Sequence, residues 1–286
     1  MSDDPRGWRL GGAVAYGALT LARLGLRVRA VVGVDELAST APELDLLREA
    51  GVEVMLVQLA RGPAFRNEEH PAGRSQTAIQ AADPMPISAV PVPWLAADAV
   101  LLAPVASELS DDWPDALPHD AFVALGWQGL LREISPGAPV VRRRPAPSRL
   151  VARASLVGLS RTDVEPDQPI AGLERQLAPD AELLVTDAER GGFLAIPGHP
   201  SGRRRWRTYR AIPPDGVVDP TGAGDVFLAT LFAARVDPRR LGGPQDSGLD
   251  LRLAAAAASL SVEAPGLFGV PDLASVLRRA TRRRSG

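Results

Sequence analysis

Helical and extended segments alternate along most of this 286-residue chain, with glycines at many of the junctions. Residues 11–24 carry apolar side chains at helical spacing and end at Gly25, and residues 27–34 read as a strand. A second helix is predicted over 42–50, followed by Gly51 and a strand over 52–59. Helix and strand in alternation predict parallel strands in a sheet covered on both faces.

The alternation resumes further along the chain and fixes the fold class. Strands are predicted at 99–103, 121–125, 156–159 and 183–186, an antiparallel pair at 192–196 and 206–212, and helices at 226–234, 249–261 and 271–280. The chain shows no internal repeat and no linker composition, so one α/β domain with a mostly parallel central sheet is expected over 1–286.

Between residues 60 and 82 this alternation stops. The segment is polar, with two short β-like pieces at 64–67 and 75–79, and a proline-rich connection follows it. A long excursion from an α/β domain is often a lid over a binding site. A plain surface loop fits the same pattern, and periodicity alone does not choose between the two.

The stretch Val-Val-Asp-Pro-Thr-Gly-Ala-Gly-Asp-Val-Phe, residues 217–227, leads into an alanine-rich helix. Gly222, Ala223 and Gly224 would therefore lie at a helix N-terminus, where free N–H groups and small side chains accept a phosphate. Asp225 in the same turn could take a proton from a group that attacks this anion. A simple N-cap and turn is the alternative interpretation.

Missing residue types exclude several classes of enzyme. The chain has no Cys, which excludes disulfides, thiolate nucleophiles and cysteine-ligated metals. It also has no Lys, since all 32 basic residues are Arg, and this excludes a Walker A loop and Schiff-base chemistry. The three His residues are far apart and follow no metal-ligand spacing.

Charge and hydropathy give no sign of a nucleic-acid or membrane partner. The net charge is -2 and the pI about 6.0, and the short Arg runs at 142–144, 203–205 and 282–284 suit solvated faces or tails. The N-terminus is polar and the apolar runs are too short to span a bilayer. We therefore expect a cytoplasmic protein.

Residues 217–227 resemble the signature of the PfkB or ribokinase family of sugar and nucleoside kinases. The sequence Trp-Gln-Gly-Leu-Leu-Arg at 127–132 is similar to the Pro-Gln-Gly-x-x-Arg element of the branch that includes myo-inositol kinases. The resemblance implies a ribokinase-like three-layer α/β/α sandwich with a small β lid. It also implies transfer of the γ-phosphate of ATP, with Mg²⁺, to a hydroxyl of a small sugar, an inositol-like polyol or a nucleoside.

The resemblance assigns residues to the phosphate acceptor. It implies catalysis by Asp225 with the amides of Gly222, Ala223 and Gly224, and acceptor contacts from the following residues: Gly11, Gly12, Phe65, Asn67, Gln76 and Gln128. Arg74 lies in the same lid segment. Tyr16 stands where the family often has Asn, which argues against a simple pentose or hexose. Lid residues that merely face solvent would show the same alternation.

For the donor side, the resemblance implies nucleotide contacts from Ser160, Asp163, Thr186, Asp187, Gly191 and Ala257. Asp163 would organise the magnesium-bound phosphates, and Asp219 would shape the loop and could serve a monovalent cation site. Ser160 replaces the family's Asn, and it also suits a plain helix N-cap. Ala188 replaces a glycine, which would cost about 1 kcal/mol if the position needs a positive φ.

Family members usually begin with a strand that ends in a substrate-binding Asp, whereas only ten residues precede Gly11 here. We expect either a start further upstream or a missing inner strand, which would expose sheet edges. The alternative function is therefore a catalytically weak member that binds nucleotide or sugar. A homodimer is compatible with the resemblance, although no residue pattern sets the oligomeric state.

Overall fold

The computed structural model describes residues 4–70, 73–198, 204–241 and 248–282. Its helices are α1 (Ala13–Arg23), α2 (Glu43–Glu49), α3 (Val92–Leu95), α4 (Arg149–Arg153), α5 (Ile170–Leu173), α6 (Ala223–Val236), α7 (Leu249–Ser261) and α8 (Leu273–Thr281). Its strands are β1 (Arg29–Val34), β2 (Glu53–Gln58), β3 (Ala64–His70), β4 (Gly73–Gln80), β5 (Ala99–Leu102), β6 (Phe122–Gly126), β7 (Arg132–Glu133), β8 (Val141–Arg142), β9 (Leu156–Ser160), β10 (Glu182–Thr186), β11 (Gly192–Ile196) and β12 (Arg205–Tyr209).

Six strands form the main sheet in the order β12-β11-β10-β9-β6-β5. Strands β5, β6, β9 and β10 pair in parallel, and β11 and β12 close one edge with antiparallel pairing. Strands β1 and β2 also pair in parallel, but they form a separate two-stranded sheet. The predicted parallel and antiparallel pairings are confirmed. The main sheet ends at β5, and β5 does not pair with β1.

Alternating side chains of the central strands enter two different cores. On β6, Val123 and Leu125 pack with Trp127 and Leu150 in one core, whereas Ala124 packs against α1, α6 and α7 in the other. Strands buried on both faces need apolar residues at every position, which the sequence supplies. The result is the three-layer α/β/α sandwich that the sequence predicted.

Most helix boundaries follow the local signals read from the sequence. Gly25 and Gly51 adopt φ values of 90° and 86° directly after α1 and α2, as expected of C-terminal caps. Helix α7 begins and ends at the predicted residues, and α6 starts at Ala223, inside the stretch that was predicted to bind phosphate. In the described part of the chain no helix is long and apolar enough to cross a bilayer.

The excursion at 60–82 folds as an antiparallel hairpin of β3 and β4, which we call the lid hairpin. A second segment, which the sequence pattern does not indicate, holds this hairpin in place. The backbone of residues 137–140 forms hydrogen bonds with strand β4. The Val140 N–H donates to the Gln76 carbonyl at 2.9 Å, and the Ala78 N–H donates to the Ala138 carbonyl at 3.0 Å. The side chain of Arg74, named above with the lid, lies outside the described residues.

Candidate active site

The carboxyl ends of the parallel strands and the N-terminus of α6 meet at one large cavity of about 2340 Å³. Open α/β sheets carry their ligand sites at this edge. The predicted residues that line it are Gly11, Gly12, Phe65, Asn67, Gln76, Gln128, Ser160, Asp163, Thr186, Asp219, Gly222, Ala223, Gly224 and Asp225. Segments that are far apart in sequence therefore face one space.

Helix α6 presents its first turn to this cavity. Gly222 is the N-cap, with φ 81°, and the ring of Tyr16 lies where a Cβ on Gly222 would stand, at 2.4–2.5 Å. Gly224 is exposed, and nothing lies within 4 Å of the place where its Cβ would stand. The turn thus offers open space beside N–H groups that an α-helix leaves without internal acceptors.

Asp219 holds this turn in shape. One of its carboxylate oxygens accepts the Thr221 N–H at 2.9 Å and the other accepts the Gly266 N–H at 3.0 Å. The Asp219 carboxylate therefore ties the start of α6 to the turn that follows α7. This is the loop-shaping role expected for Asp219, and its role in cation binding stays a prediction.

Asp225 lies in the first turn of α6 and is partly accessible from the cavity. Its pKa is raised from 3.8 to about 7, chiefly because the carboxyl is removed from bulk water and also because of the negative charge of Asp163, while the positive charge of Arg132 opposes the shift. A carboxyl with a pKa near 7 is half ionised at neutral pH, which suits a general base.

Asp163 is 6% exposed and is held from three sides. One oxygen accepts the Ser160 N–H at 2.8 Å, and the other accepts Gln128 Nε2 at 3.0 Å, with a guanidinium nitrogen of Arg132 at 3.8 Å. Ser160 caps the short 3₁₀ turn over residues 161–163, so the local N-cap interpretation of Ser160 is confirmed. Gln128, predicted to bind the acceptor, thus also orients the predicted magnesium-organising carboxylate.

Gly129 shows why a Gln-Gly pair follows β6. A Cβ at Gly129 would stand 2.4 Å from the backbone of Pro104, so only glycine allows the segments after β5 and β6 to approach this closely. The approach sets the direction of Gln128 and Arg132 toward Asp163. Arg132 belongs to a sequence motif, but its carboxylate partner is 31 positions away, so the sequence gives no sign of this ion pair.

The turn after β10 contains the residues predicted to lie along the nucleotide. Thr186 lines the cavity, whereas Asp187 makes an ion pair with Arg190 at 2.6 Å and donates its N–H to the Gly191 carbonyl at 2.7 Å. Gly191 has φ 89°, and Ala188 has φ 45°. Ala188 therefore occupies the left-handed conformation that the sequence comparison anticipated at this position.

One predicted contact is wrong. Ala257 was expected in the nucleotide pocket, but its side chain is 0% exposed and packs inside the helical core. The neighbouring residues Ala258 and Ser259, and Ala255 on the preceding turn, line the cavity instead. An alanine-rich helix has no polar stripe to set its rotation, and so the sequence could not show which alanines face the site.

The lid residues meet each other as well as the cavity. Gln76 Nε2 donates to Asn67 Oδ1 at 2.7 Å across the lid hairpin, and Phe65 is partly buried at its base. Gly12, with φ 89°, is the N-cap of α1, and Tyr16 one turn later is 2% exposed. The bulky Tyr16 ring thus fills space between the glycine pair and the start of α6.

Comparison with known proteins agrees with this fold. Residues 165–271 match the model of the pfkB family carbohydrate kinases. A pyrophosphate-dependent kinase in the ribokinase family, solved with a pyrophosphate analog and myo-inositol, aligns with TM-score 0.72 and 20% identity over 94% of this chain and 91% of its own. Arabidopsis thaliana ribokinase, complexed with ribose and ATP, aligns with TM-score 0.66 and 22% identity over 96% and 88%.

A putative ribokinase II from E. coli, in complex with ATP and Mg²⁺, aligns with TM-score 0.63 and 15% identity over 99% of this chain and 93% of its own. No curated protein matches the sequence. The matched segment contains the start of α6 with Asp225, the turn after β10 and helix α7. The chain therefore has the fold of the ribokinase-family structures, and its residues 165–271 are similar to the pfkB family of carbohydrate kinases.

Proposed function

We propose that this carbohydrate kinase transfers the γ-phosphate of ATP to a hydroxyl of a small sugar or cyclic polyol, with Asp225 as the general base. The observation that carries the proposal is the position of Asp225. Its carboxyl has a pKa of about 7 and lies in the first turn of α6, beside an open helix N-terminus. A base and an anion-binding turn on one helical turn suit in-line phosphoryl transfer.

In the proposed reaction, a hydroxyl of the acceptor gives its proton to Asp225 as its oxygen forms a bond to the γ-phosphorus of ATP. The bond between that phosphorus and the β,γ-bridging oxygen breaks, and ADP leaves with the bonding electrons. The N–H groups of Gly222, Ala223 and Gly224 stabilise the charge on the transferred group. These amides matter more than usual, since the chain has no lysine to place an ammonium there.

Mg²⁺ fits the acidic floor of this cavity. Asp163 and Asp225 repel each other, as the raised pKa of Asp225 shows, and a cation beside them would relieve that repulsion. The described residues contain no group of three acidic or histidine side chains that could hold a metal without substrate. Mg²⁺ is commonly held by one or two carboxylates together with the phosphates of the substrate. Asp163 would be such a carboxylate, and the ion would offset the negative charge of the phosphates.

For the donor we favour ATP. Two of the similar structures are complexes with ATP, and Ala255, Ala258, Ser259 and Val262 line the same cavity beyond the phosphate-binding turn. Small apolar and hydroxyl side chains there leave room for a flat base. Pyrophosphate is the competing donor, because a structure of similar fold is described as pyrophosphate-dependent.

For the acceptor we favour a cyclic polyol such as an inositol. Tyr16 narrows the space between the glycine pair and Gly222, and the lid hairpin brings Phe65, Asn67 and Gln76 to the opposite wall. Side-chain amides that face the aromatic ring of Tyr16 across the cavity suit a rigid cyclic ligand with many hydroxyls. One similar structure holds myo-inositol and another holds ribose, which makes these two compounds the direct comparison.

A catalytically weak family member is the second candidate. The left-handed conformation at Ala188 and the break between β1 and β5 favour it, since the first weakens the nucleotide turn and the second leaves one wall of the site open. Such a protein would bind nucleotide with a heat signal in calorimetry but would release ADP at a rate that does not depend on the acceptor.

The assay is acceptor-dependent ADP release with Mg-ATP across inositols, pentoses, hexoses and nucleosides, repeated with pyrophosphate. We expect Asp225→Asn to lower turnover by at least about 100-fold, the usual contribution of a positioned base. The matched control is Asp120→Asn, an exposed aspartate far from the cavity. Equal activity of wild type and Asp225→Asn would remove Asp225 from the mechanism, and acceptor-independent rates would favour the second candidate.

A further inference from the structure

Arg279 carries a buried guanidinium that the proposed reaction does not use. It lies on α8, is 9% exposed, and forms a two-point ion pair with Glu263, with Nη1 to Oε1 at 2.8 Å and Nη2 to Oε2 at 3.0 Å. A parallel pair of this kind fixes the plane of the guanidinium. The remaining N–H donors of Arg279 therefore point in fixed directions.

One of these donors reaches helix α7 at the wall of the large cavity. Arg279 Nη1 donates to Ser259 Oγ at 2.9 Å. Ser259 is only 5% exposed, and it lines the cavity beside Ala255 and Ala258. The Arg279 side chain therefore connects α8 to the part of the cavity that we propose receives the base of the nucleotide.

This contact determines the direction in which the Ser259 hydroxyl donates. A guanidinium has only donors, so Ser259 Oγ is the acceptor of this bond and its own hydrogen points elsewhere. Hydroxyls in a helix can donate to a carbonyl on the preceding turn, as those of Thr20, Thr230 and Ser261 do here at 2.7–2.9 Å. Among the described residues Ser259 makes no such bond. Its hydrogen is therefore available to a group inside the cavity.

The same guanidinium also holds a second segment of the cavity wall. Residues 213–219, which we call the strap, lead into the turn at the start of α6, and Val218 on the strap lines the cavity. Arg279 Nη2 donates to a carboxylate oxygen of Asp215 at 3.2 Å, and Glu263 accepts the Asp215 N–H at 2.7 Å. Helix α7 and the strap are thus joined at one buried arginine.

We propose that Arg279 is a positioning residue for the phosphate donor, because it holds Ser259 so that the hydroxyl donates a hydrogen bond to the nucleotide base. The atom that accepts this bond is a ring nitrogen or a carbonyl oxygen of the base. A charged donor on Oγ polarises the hydroxyl, which strengthens the bond that the hydroxyl gives. The proposal rests on the proposed function in that the donor carries a base, and it adds which group contacts that base.

The test is calorimetric titration of the full chain with ADP and Mg²⁺, and separately with pyrophosphate and Mg²⁺, since pyrophosphate has no base. Ser259→Ala should raise the dissociation constant of ADP about 3–10-fold, the effect of one hydrogen bond, and leave that of pyrophosphate unchanged. Ser261→Ala is the matched control, because Ser261 lies on the same helix, is 0% exposed and donates to the Ala258 carbonyl. This control should leave both dissociation constants unchanged.

A double-mutant cycle tests whether Arg279 acts through Ser259. Arg279→Met should raise the dissociation constant of ADP at least about threefold, because the Ser259 hydroxyl can then donate to the Ala255 carbonyl one turn back. In that background Ser259→Ala should add less than about twofold. Arg278→Met, on the exposed side of α8, is the control for the loss of a charge and should change neither constant. If Arg279→Met does not fold, Arg279→Lys takes its place, since lysine keeps the charge without the two-point pairing with Glu263.

Three results would overturn the proposal. The first is an unchanged ADP dissociation constant in Ser259→Ala, and the second is an equal change for pyrophosphate, which would show that Ser259 does not contact the base. The third is a double variant whose loss is the product of the two single losses, because Arg279 would then act independently of Ser259. A wild type that binds ADP and transfers no phosphate would refute the proposed reaction alone. A wild type that binds pyrophosphate but not ADP would overturn both the ATP donor and this role of Arg279.

Discussion

Replacement of Asp225 by asparagine should raise the stability of the fold while it abolishes activity. The Asp225 carboxyl has a pKa of about 7 in the folded protein against an ordinary value of 3.8. Between these values the unfolded chain releases the proton and the folded protein retains it. The free energy of unfolding therefore falls as pH rises from about 4 to about 7, and the loss stays constant at higher pH.

The size of the loss follows from the same two values. Their difference, 3.8 to about 7, corresponds to about 4 kcal/mol at about 1.36 kcal/mol per pH unit. Asp225 is partly accessible from the cavity, so this value is an upper bound on the loss. Asparagine is close in shape and carries no charge, so it removes the penalty at high pH only.

The measurement is urea denaturation of wild type and Asp225→Asn at pH 4 and pH 8. We expect the two proteins to differ little at pH 4 and the variant to be more stable by up to about 4 kcal/mol at pH 8. The value of kcat/KM for wild type should rise through a pKa of about 7 as the base ionises. Equal stability at pH 8, or a rate that is flat from pH 5.5 to 8, would refute the argument that burial and Asp163 hold Asp225 protonated.

Three further changes test the local geometry. Ala188→Gly should stabilise the protein by about 0.5 kcal/mol in thermal denaturation, because glycine adopts the left-handed φ without strain. The control is Ala152→Gly on the exposed face of α4, which should destabilise the protein by about 0.5–1 kcal/mol. Gly222→Ala should lower the melting temperature and abolish activity, because the added Cβ would clash with the ring of Tyr16. Gly224→Ala, which has open space around it, should keep the melting temperature and raise the KM for the phosphate donor. Arg235→Met should cost about 3–5 kcal/mol in urea denaturation, because it removes the ion-pair partner of buried Glu182 and leaves Asp250 with Arg207 alone. A cost below about 1 kcal/mol would show that water reaches these ion pairs.

Elements with strong periodicity could be predicted from the sequence. Helix α7 and strand β11 begin and end where their patterns do, because an apolar run bounded by glycine or a polar residue leaves few alternative boundaries. The start of α6 was also predictable, since Pro220 and Gly222 cannot continue a helix backwards. These signals are local, and local signals are what a single sequence carries.

The parts that the sequence missed depend on contacts between distant segments. The buried ion pairs of Arg235 join α6 to Glu182 on β10 and Asp250 on α7, which are 53 and 15 positions away. The short ribbon of β7 and β8 has two residues per strand and carries no periodic pattern. Ala257 was assigned to the wrong side of α7 because five successive alanines, 254–258, look alike in sequence and only packing distinguishes them.

The two halves of the site differ in how far the chain itself builds them. The half proposed to bind phosphate is held by the chain's own contacts: Asp219 fixes the turn, the ring of Tyr16 requires glycine at position 222, and Asp163 is tied to β9 through Ser160. The half proposed to bind the acceptor includes the lid hairpin, where Gln76 Nε2 donates to Asn67 Oδ1 at 2.7 Å beside the cavity. Gln76→Ala should therefore raise the KM for the acceptor and leave the KM for the donor, which depends on α6, the same. Measurement of both KM values in this variant would separate the two halves, and an equal change in both would show that they act as one unit.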